Sequence, residues 1–458
     1  MAAGTGRALS ARVGLAGLGV LLWGGHFYAY SRGLAGWNLD LGLFVLAAAL
    51  WLGRSHAAAL LASLGMLFAI AVRPYTDSFV ALNLAYAAAA LVLAPRLSSR
   101  LSRPAASSGR RPVAAASAAV VFVVIAVYAA RPAWLMARPE LRRAALAGLS
   151  PAFPIQDPKT LTPAAARLRR HVVALAQDIG ERSIYQPKAQ EKAKDYIVAR
   201  LREAGFEPRV ADYASLHPLD FARGVPFRNV EAVLAADSGA PTEVWVVGAH
   251  YDSAPGTPGA DDNASGVAVL LELAKRLKDS PRRREVRLVF FGTEEPPSFG
   301  TRDMGSLHYA RALRAQGVRI YGLINLEMMG FYNSAPGSQL FPPFLSLFYP
   351  GRGAFLAGVG NLRSVGLLSE VRSAWKKSSI LPFEAVVLPS VFSTVALSDQ
   401  LNFWGQGDRA VMLSDTSFFR NPRYHQNGDT PETLDYEKMA AAVDGVAGVV
   451  APPLAKAP

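Results

Sequence analysis

The chain has 458 residues, no cysteine, a formal net charge of +13 and 51% hydrophobic residues. That length accommodates a full catalytic domain plus a second region, and the lack of thiols excludes both disulfides and thiolate-ligated zinc, leaving histidine and carboxylates as the strong metal ligands. The positive charge argues little for nucleic acid, because many arginines flank apolar segments and no basic–aromatic recognition motif accompanies them.

Residues 1–131 carry almost no Asp or Glu, while the remainder has ordinary globular composition. Apolar runs near 13–30, 39–52, 57–72, 79–94 and 113–130 predict a multi-pass region of about five transmembrane helices, the second and third being short for a hydrocarbon core of about 30 Å. Between Pro95 and Pro112, Arg96, Arg100, Arg103, Arg110 and Arg111 stand without an acid, which makes this loop cytoplasmic. Counting back puts the N-terminus in the cytoplasm, in agreement with Arg7, Arg12 and Arg54. The fifth span then carries the C-terminal domain to the extracytoplasmic side of the lipid bilayer. His26, Trp37 and Asp40 lie near span ends and read as headgroup contacts.

A Pro-, Arg- and Ala-rich connector, 132–162, leads into a globular domain, 163–458. Helical spacing covers 164–178, 188–204, 266–277, 303–316 and 436–449, and short β-branched or aromatic runs predict strands at 230–234, 244–247, 286–291, 320–326 and 410–413. Their alternation predicts a three-layer α/β/α domain with a mostly parallel, mixed sheet. Residues 331–398 read as an irregular insertion with one or two helices. Within it, Trp375 and the aromatic cluster 341–349 are expected to form core or a lid.

The polar residues with chemistry follow the strands. His250-Tyr251-Asp252 comes after 244–247, and Glu294-Glu295 after 286–291. In open α/β sheets ligands bind beyond the carboxyl ends of the strands, where these side chains emerge. Taken singly, each has a plainer reading. Asp261 ahead of the helix at Gly266 reads as an N-cap, Glu294-Glu295-Pro296-Pro297 as a solvated loop, and His250 as a core histidine or a ligand. Taken together they read as a metal site. His171, His217 and His308 lie in helical patterns or a polar loop and carry no such signal. No G-x-S-x-G elbow and no H-E-x-x-H helix is present.

His250-Tyr251-Asp252, Gly259-Ala260-Asp261-Asp262-Asn263-Ala264-Ser265-Gly266, Glu294-Glu295, Asn325-Leu326-Glu327-Met328 and Tyr424-His425 with Asp429-Thr430 occur in an order that resembles the M28 family of co-catalytic zinc peptidases. The resemblance covers essentially the whole soluble half. It implies a zinc exopeptidase-like fold and two zinc ions bridged by Asp261, with His250, Glu295, Glu327 and His425 as the other ligands. Glu294 matches the general base, Asp252 and Asp429 are candidates for fixing the tautomers of His250 and His425, and Asp262 is expected behind the ligands and not on a metal itself. A cis peptide bond is expected between Asp261 and Asp262. Tyr424 is a candidate hydrogen-bond donor to the oxyanion, and Arg420 a candidate partner for a substrate carboxylate.

Two positions depart from the family pattern: Glu327 stands where many aminopeptidases have Asp, and Gln400 where a His is expected. The resemblance implies hydrolysis of peptide or protein substrates, first as an aminopeptidase. Carboxypeptidase or glutaminyl cyclase activity, or an inert receptor-like ectodomain, are the other readings.

Overall fold

The computed structural model describes residues 139–149, 156–214, 226–237, 242–341, 345–390 and 395–452. The five candidate spans, their arginine loop and His217 lie outside these. Among the described residues, no helix is long and apolar enough to cross a membrane.

A short helix, α1 (Pro139–Ala147), precedes the domain. The domain itself begins where Thr162 accepts a hydrogen bond from the Ala165 amide and Pro163 occupies the first helical position, starting α2 (Pro163–Val172). Both devices satisfy or remove amides that an α-helix leaves unpaired. A wider turn, Val173–Ile179, ends this segment at Gly180, and α3 (Pro187–Glu203) follows, again opened by proline.

Eight strands form one mixed sheet: β1 (Arg209–Ala214), β2 (Pro226–Leu234), β3 (Glu243–His250), β4 (Val286–Phe291), β5 (Arg319–Glu327), β6 (Leu356–Gly360), β7 (Phe383–Val387) and β8 (Ala410–Ser414). Their order is β1-β2-β4-β3-β5-β8-β6-β7. The central four, β4-β3-β5-β8, are parallel, while β2 joins β4 and β6 joins β8 in antiparallel fashion. Strand β3 is buried from Val244 to His250, as a strand covered on both faces must be.

Helices α4 (Gly266–Leu277), α6 (Val365–Ser378) and α8 (Tyr436–Val450) pack with α2 as one layer. The shorter α5 (Gly305–Ala315) and α7 (Gln400–Gly405) pack together as another. Helix α4 is apolar nearly all round and sits inside the main core.

The stretch 331–398, expected to be irregular with one or two helices, does hold a helix, α6, but it also supplies strands β6 and β7 to this sheet. Strands β6 and β7 are only five residues long, and the glycines in Leu356–Gly360 hide the alternation that marks a strand. Trp375 belongs to the core, 1% exposed. The Phe341–Tyr349 cluster does not: Phe348 is 76% exposed.

Close approach of α6 and α8 depends on Gly445, where a Cβ would fall 2.5 Å from the Trp375 ring. Gly445→Val is therefore expected to destabilise the domain by about 1–3 kcal/mol, the usual cost of overpacking. A shift of the urea midpoint with unchanged slope would measure it.

Candidate metal centre

Parallel strands bring their last residues to one end of the sheet. There β3 ends in His250, β5 ends in Glu327, the turn after β4 carries Glu294 and Glu295, and the segment after β8 reaches His425. The turn Ala260–Ser265 fills the space between them. It is entered through Gly259, whose φ of 64° and whose packing leave no room for a side chain: a Cβ would meet the Asp262 carbonyl at 2.4 Å.

Two groups of ligand-type atoms result, His250, Asp262 and Glu327 in one and Asp262, Glu295 and His425 in the other. His250 Nε2 lies 3.4 Å from Asp262 Oδ1 and 3.3 Å from Glu327 Oε2. His425 Nε2 lies 3.2 Å from both Asp262 Oδ2 and Glu295 Oε2. Asp262 thus turns one oxygen to each group.

His250 Nε2, Asp262 Oδ1, Glu295 Oε1 and His425 Nε2 are buried without a hydrogen-bond partner. Orphaned buried polar atoms are costly, and here they converge. Two ligand atoms at about 2.0–2.2 Å from a shared tetrahedral ion are about 3.3 Å apart, which matches the spacing in both groups. The donor set, imidazole and carboxylate without thiolate, suits zinc. The residues fit two cations.

The protonation chemistry has the same cause. Burial, then the Glu295 and Glu327 charges, push Glu294 well above the usual carboxylate range against the pull of His250. Burial and the charge of Asp262 raise Glu295 to about 7. Burial also disfavours a charged Asp262, but His250 and His425 outweigh it and hold this carboxylate below the usual range. Burial lowers His250, yet Glu327 and Glu294 overcome it and the imidazole rises well above its ordinary value.

The bridging position expected for Asp261 is occupied by Asp262. Asp261 Oδ1 accepts from the Gly330 amide at 2.9 Å and Oδ2 from Asn421 Nδ2 at 2.7 Å, and burial with the adjacent Asp415 raises its carboxyl far above normal. It faces away from both groups. The cis peptide bond is displaced by the same single residue, to Asp262–Asn263. An N-cap role does not fall on Asp261 either: Asn263 Oδ1 accepts from the Gly266 amide at 3.1 Å and from the Met328 amide at 3.1 Å, and its Nδ2 donates to the Leu326 carbonyl. Asn263 thereby pins the end of β5 to the turn.

Asp252 Oδ1 lies 3.1 Å from His250 Nδ1, leaving Nε2 as the free lone pair, and the same carboxylate accepts the amides of Glu294 and Glu295 at 2.9 and 3.0 Å. Asp429, expected to orient His425, is engaged elsewhere. It accepts the amides of Asp261 and Asp262 at 2.9 and 3.1 Å, and burial raises it to about 8.

Arg420, expected to meet a substrate carboxylate, is 1% exposed. Its Nε donates to Gln339 Oε1 at 2.9 Å, its Nη1 points to the Phe331 carbonyl, and the guanidinium packs 4.7 Å from the Phe355 ring centroid. It is a packing element. The Tyr424 ring stacks on His425 at 3.8 Å. Gln400 is buried, accepting from Asn325 and donating to the Val395 carbonyl, while Ser398 Oγ donates to Glu327 Oε2 at 2.6 Å. His171 pairs with Tyr196 and Glu272, and His308 stacks on Tyr213; neither joins the two ligand groups.

Sequence reasoning missed Arg182. Wholly buried, it donates to the carbonyls of Tyr251, Leu175, Gly180, Pro258 and Gly259. Burial lowers it to about 10, opposed by Asp252, Asp429, Asp262 and Glu295, so it stays cationic at neutral pH beneath the acids. Nothing local marks it; its partners come from three separated segments.

An α/β sheet with acids and imidazoles gathered at its strand ends around a shared carboxylate is the architecture of a metal-dependent hydrolase. The profile of peptidase family M28 matches residues 229–450. Over 232 residues the chain is 43% identical to the uncharacterised protein YfbL of Escherichia coli (strain K12), spanning 49% of this chain and 70% of that one. It is 28% identical over 281 residues to the probable lipoprotein aminopeptidase LpqL of Mycobacterium tuberculosis, covering 57% of this chain and 53% of the relative. Among solved structures, a zinc aminopeptidase from Bacillus subtilis superposes on 65% of this chain and 97% of its own at a TM-score of 0.48 and 18% identity. The chain belongs to peptidase family M28 and is, by that membership, a zinc-dependent metallopeptidase.

Arg182→Met would leave five carbonyls without their donor and the acids without their cation. A loss of about 3–5 kcal/mol in chemical unfolding is expected. Arg182→Lys should recover little of it, since an ammonium cannot span five acceptors.

Proposed function

We propose that the chain is a membrane-anchored, dinuclear zinc exopeptidase of the aminopeptidase type, acting on the extracytoplasmic side. The observation that carries the dinuclear part is the Asp262 carboxylate, one oxygen facing each of two groups in which the inward imidazole nitrogens of His250 and His425 have no hydrogen-bond partner. His250 and Glu327 would hold one ion and Glu295 and His425 the other, with Asp262 common to both. When bound, the two zinc ions would supply an acidified water and positive charge for the developing oxyanion.

The remaining work falls to the chain's own side chains. Glu294 belongs to neither triad, although its Oε2 lies only 3.9 Å from His250 Nε2. It is 5% exposed, and its raised proton affinity suits a group that takes a proton from water and returns it to the leaving amine. Asp252 holds the Glu294 and Glu295 amides and His250 together, so the base and one ligand from each group keep a fixed relation. Tyr424, stacked on His425, is the candidate donor to the oxyanion.

The aminopeptidase reading draws on the aminopeptidase relatives, and the burial of Arg420 removes the one cation near the site that the sequence offered as a carboxypeptidase clamp. The anchor rests on the apolar runs within residues 1–131, and the outer location on the arginine loop at 95–112.

Two measurements test this reading. Elemental analysis of the purified chain should find about two zinc ions, about one after Glu327→Ala or His425→Ala, and almost none after Asp262→Ala, because the shared carboxylate serves both. One ion in the unmodified chain would instead favour the cyclase reading. Glu294→Gln should keep its zinc yet lower kcat for release of an N-terminal residue about 100- to 10,000-fold, the usual worth of a general base. An N-acetylated peptide should resist cleavage. A zinc-loaded chain that hydrolyses no peptide across a broad panel would overturn the enzymatic assignment.

A further inference from the structure

Between Glu327 and Arg363 the sequence holds a single charged residue, Arg352. Within this stretch a loop is closed at its neck. Asn333 and Gly353 form an isolated antiparallel bridge, the Gly337 amide donates to the Gly351 carbonyl at 2.9 Å, and Ser338 Oγ ties the Asn333 carbonyl to the Gly353 amide.

Beyond that neck, Leu345–Leu347 form a 3₁₀ turn and Phe341 stacks on Tyr349 at 5.9 Å. Phe348 is 76% exposed. The neighbouring aromatics Phe331 and Phe355, by contrast, are 3% exposed in the domain core. An uncharged, proline-bounded turn that exposes Phe348, with one arginine at its neck, has the composition of a segment that sits at a membrane–water boundary. There aromatic rings occupy the headgroup level and arginine stays on the wet side.

We propose that the turn 345–349, together with Phe341, is a second membrane contact, seated in the headgroup region of the bilayer that carries the chain's own N-terminal segment. The occupant follows from the chain itself. Residues 1–131 hold five long apolar runs and eleven arginines against two aspartates, and none of them belongs to the described domain. On the anchor reading stated above, on which this inference rests, the domain is covalently joined to a segment seated in the bilayer, so a bilayer is always at hand. A second copy or another protein would have to be recruited.

The native absence of cysteine makes the test clean. The full chain carrying Phe348→Cys, or Ile380→Cys at a site 94% exposed, is labelled with bimane and reconstituted with zinc in nanodiscs of phosphatidylcholine, with or without lipid brominated high on the acyl chain. The expected result is a blue-shifted emission at 348 that brominated lipid quenches several-fold more than at 380, with Leu345→Cys behaving like 348. Equal, water-like emission at 348 and 380 in a chain that co-elutes with the nanodisc would overturn the proposal and leave the anchor intact. So would a blue shift without bromine quenching, which would mean that the turn is covered by protein. A chain that separates from lipid altogether would overturn the anchor and this contact together. Zinc content and peptide hydrolysis of the same labelled chains report on the peptidase reading independently.

Discussion

Carboxylates that face one another out of water dictate most of what surrounds them. Asp262, Glu294, Glu295 and Glu327 converge at one end of the sheet, each at most 5% exposed, with Asp252, Asp261, Asp415 and Asp429 close behind. At about 4 Å and an effective dielectric near 20, each like-charged pair costs about 4 kcal/mol. A cluster of this density holds together only by sharing protons, by accepting backbone amides or by binding cations. Asp261 and Asp415 take the first course and Asp252 and Asp429 the second, while the two groups that meet at Asp262 carry the donors the third would need.

The scaffold meets this constraint with groups that fix backbone rather than touch the ions. Asp429 holds the amides of Asp261 and Asp262, Asp252 holds those of Glu294 and Glu295, and Asn263 joins the turn to the end of β5. Arg182 collects five carbonyls below them and contributes the positive charge that the acids lack. Ligand positions are thus set largely by hydrogen bonds to the main chain, with Ser398 Oγ adding a side-chain contact to Glu327 Oε2.

The parallel core strands were legible because burial on both faces makes Val244–Val247 and Val286–Phe291 continuous apolar runs, and because function gathers where such strands end. The outer strands β6 and β7 were not, since glycine-rich or half-exposed five-residue segments lack a period long enough to read. Which of two adjacent aspartates turns inward was equally hidden. Asp261 is turned away by Gly330, Asn421 and Asp415, which are distant in sequence and meet it only in the folded chain. Arg420 misled for the same reason: the sequence offered it as a partner for a substrate carboxylate, whereas Gln339 and Phe355, distant along the chain, bury it.

On the dinuclear reading proposed above, a carboxylate common to two cation sites would make their occupancies a single thermodynamic problem. Whatever factor an ion in the His250 group imposes on the affinity of the His425 group, the reverse order of loading must impose the same factor, because both paths end in one state. The fully loaded form therefore carries no memory of which ion arrived first. A change that tilts the Asp262 side chain by a few degrees would be felt at both sites at once.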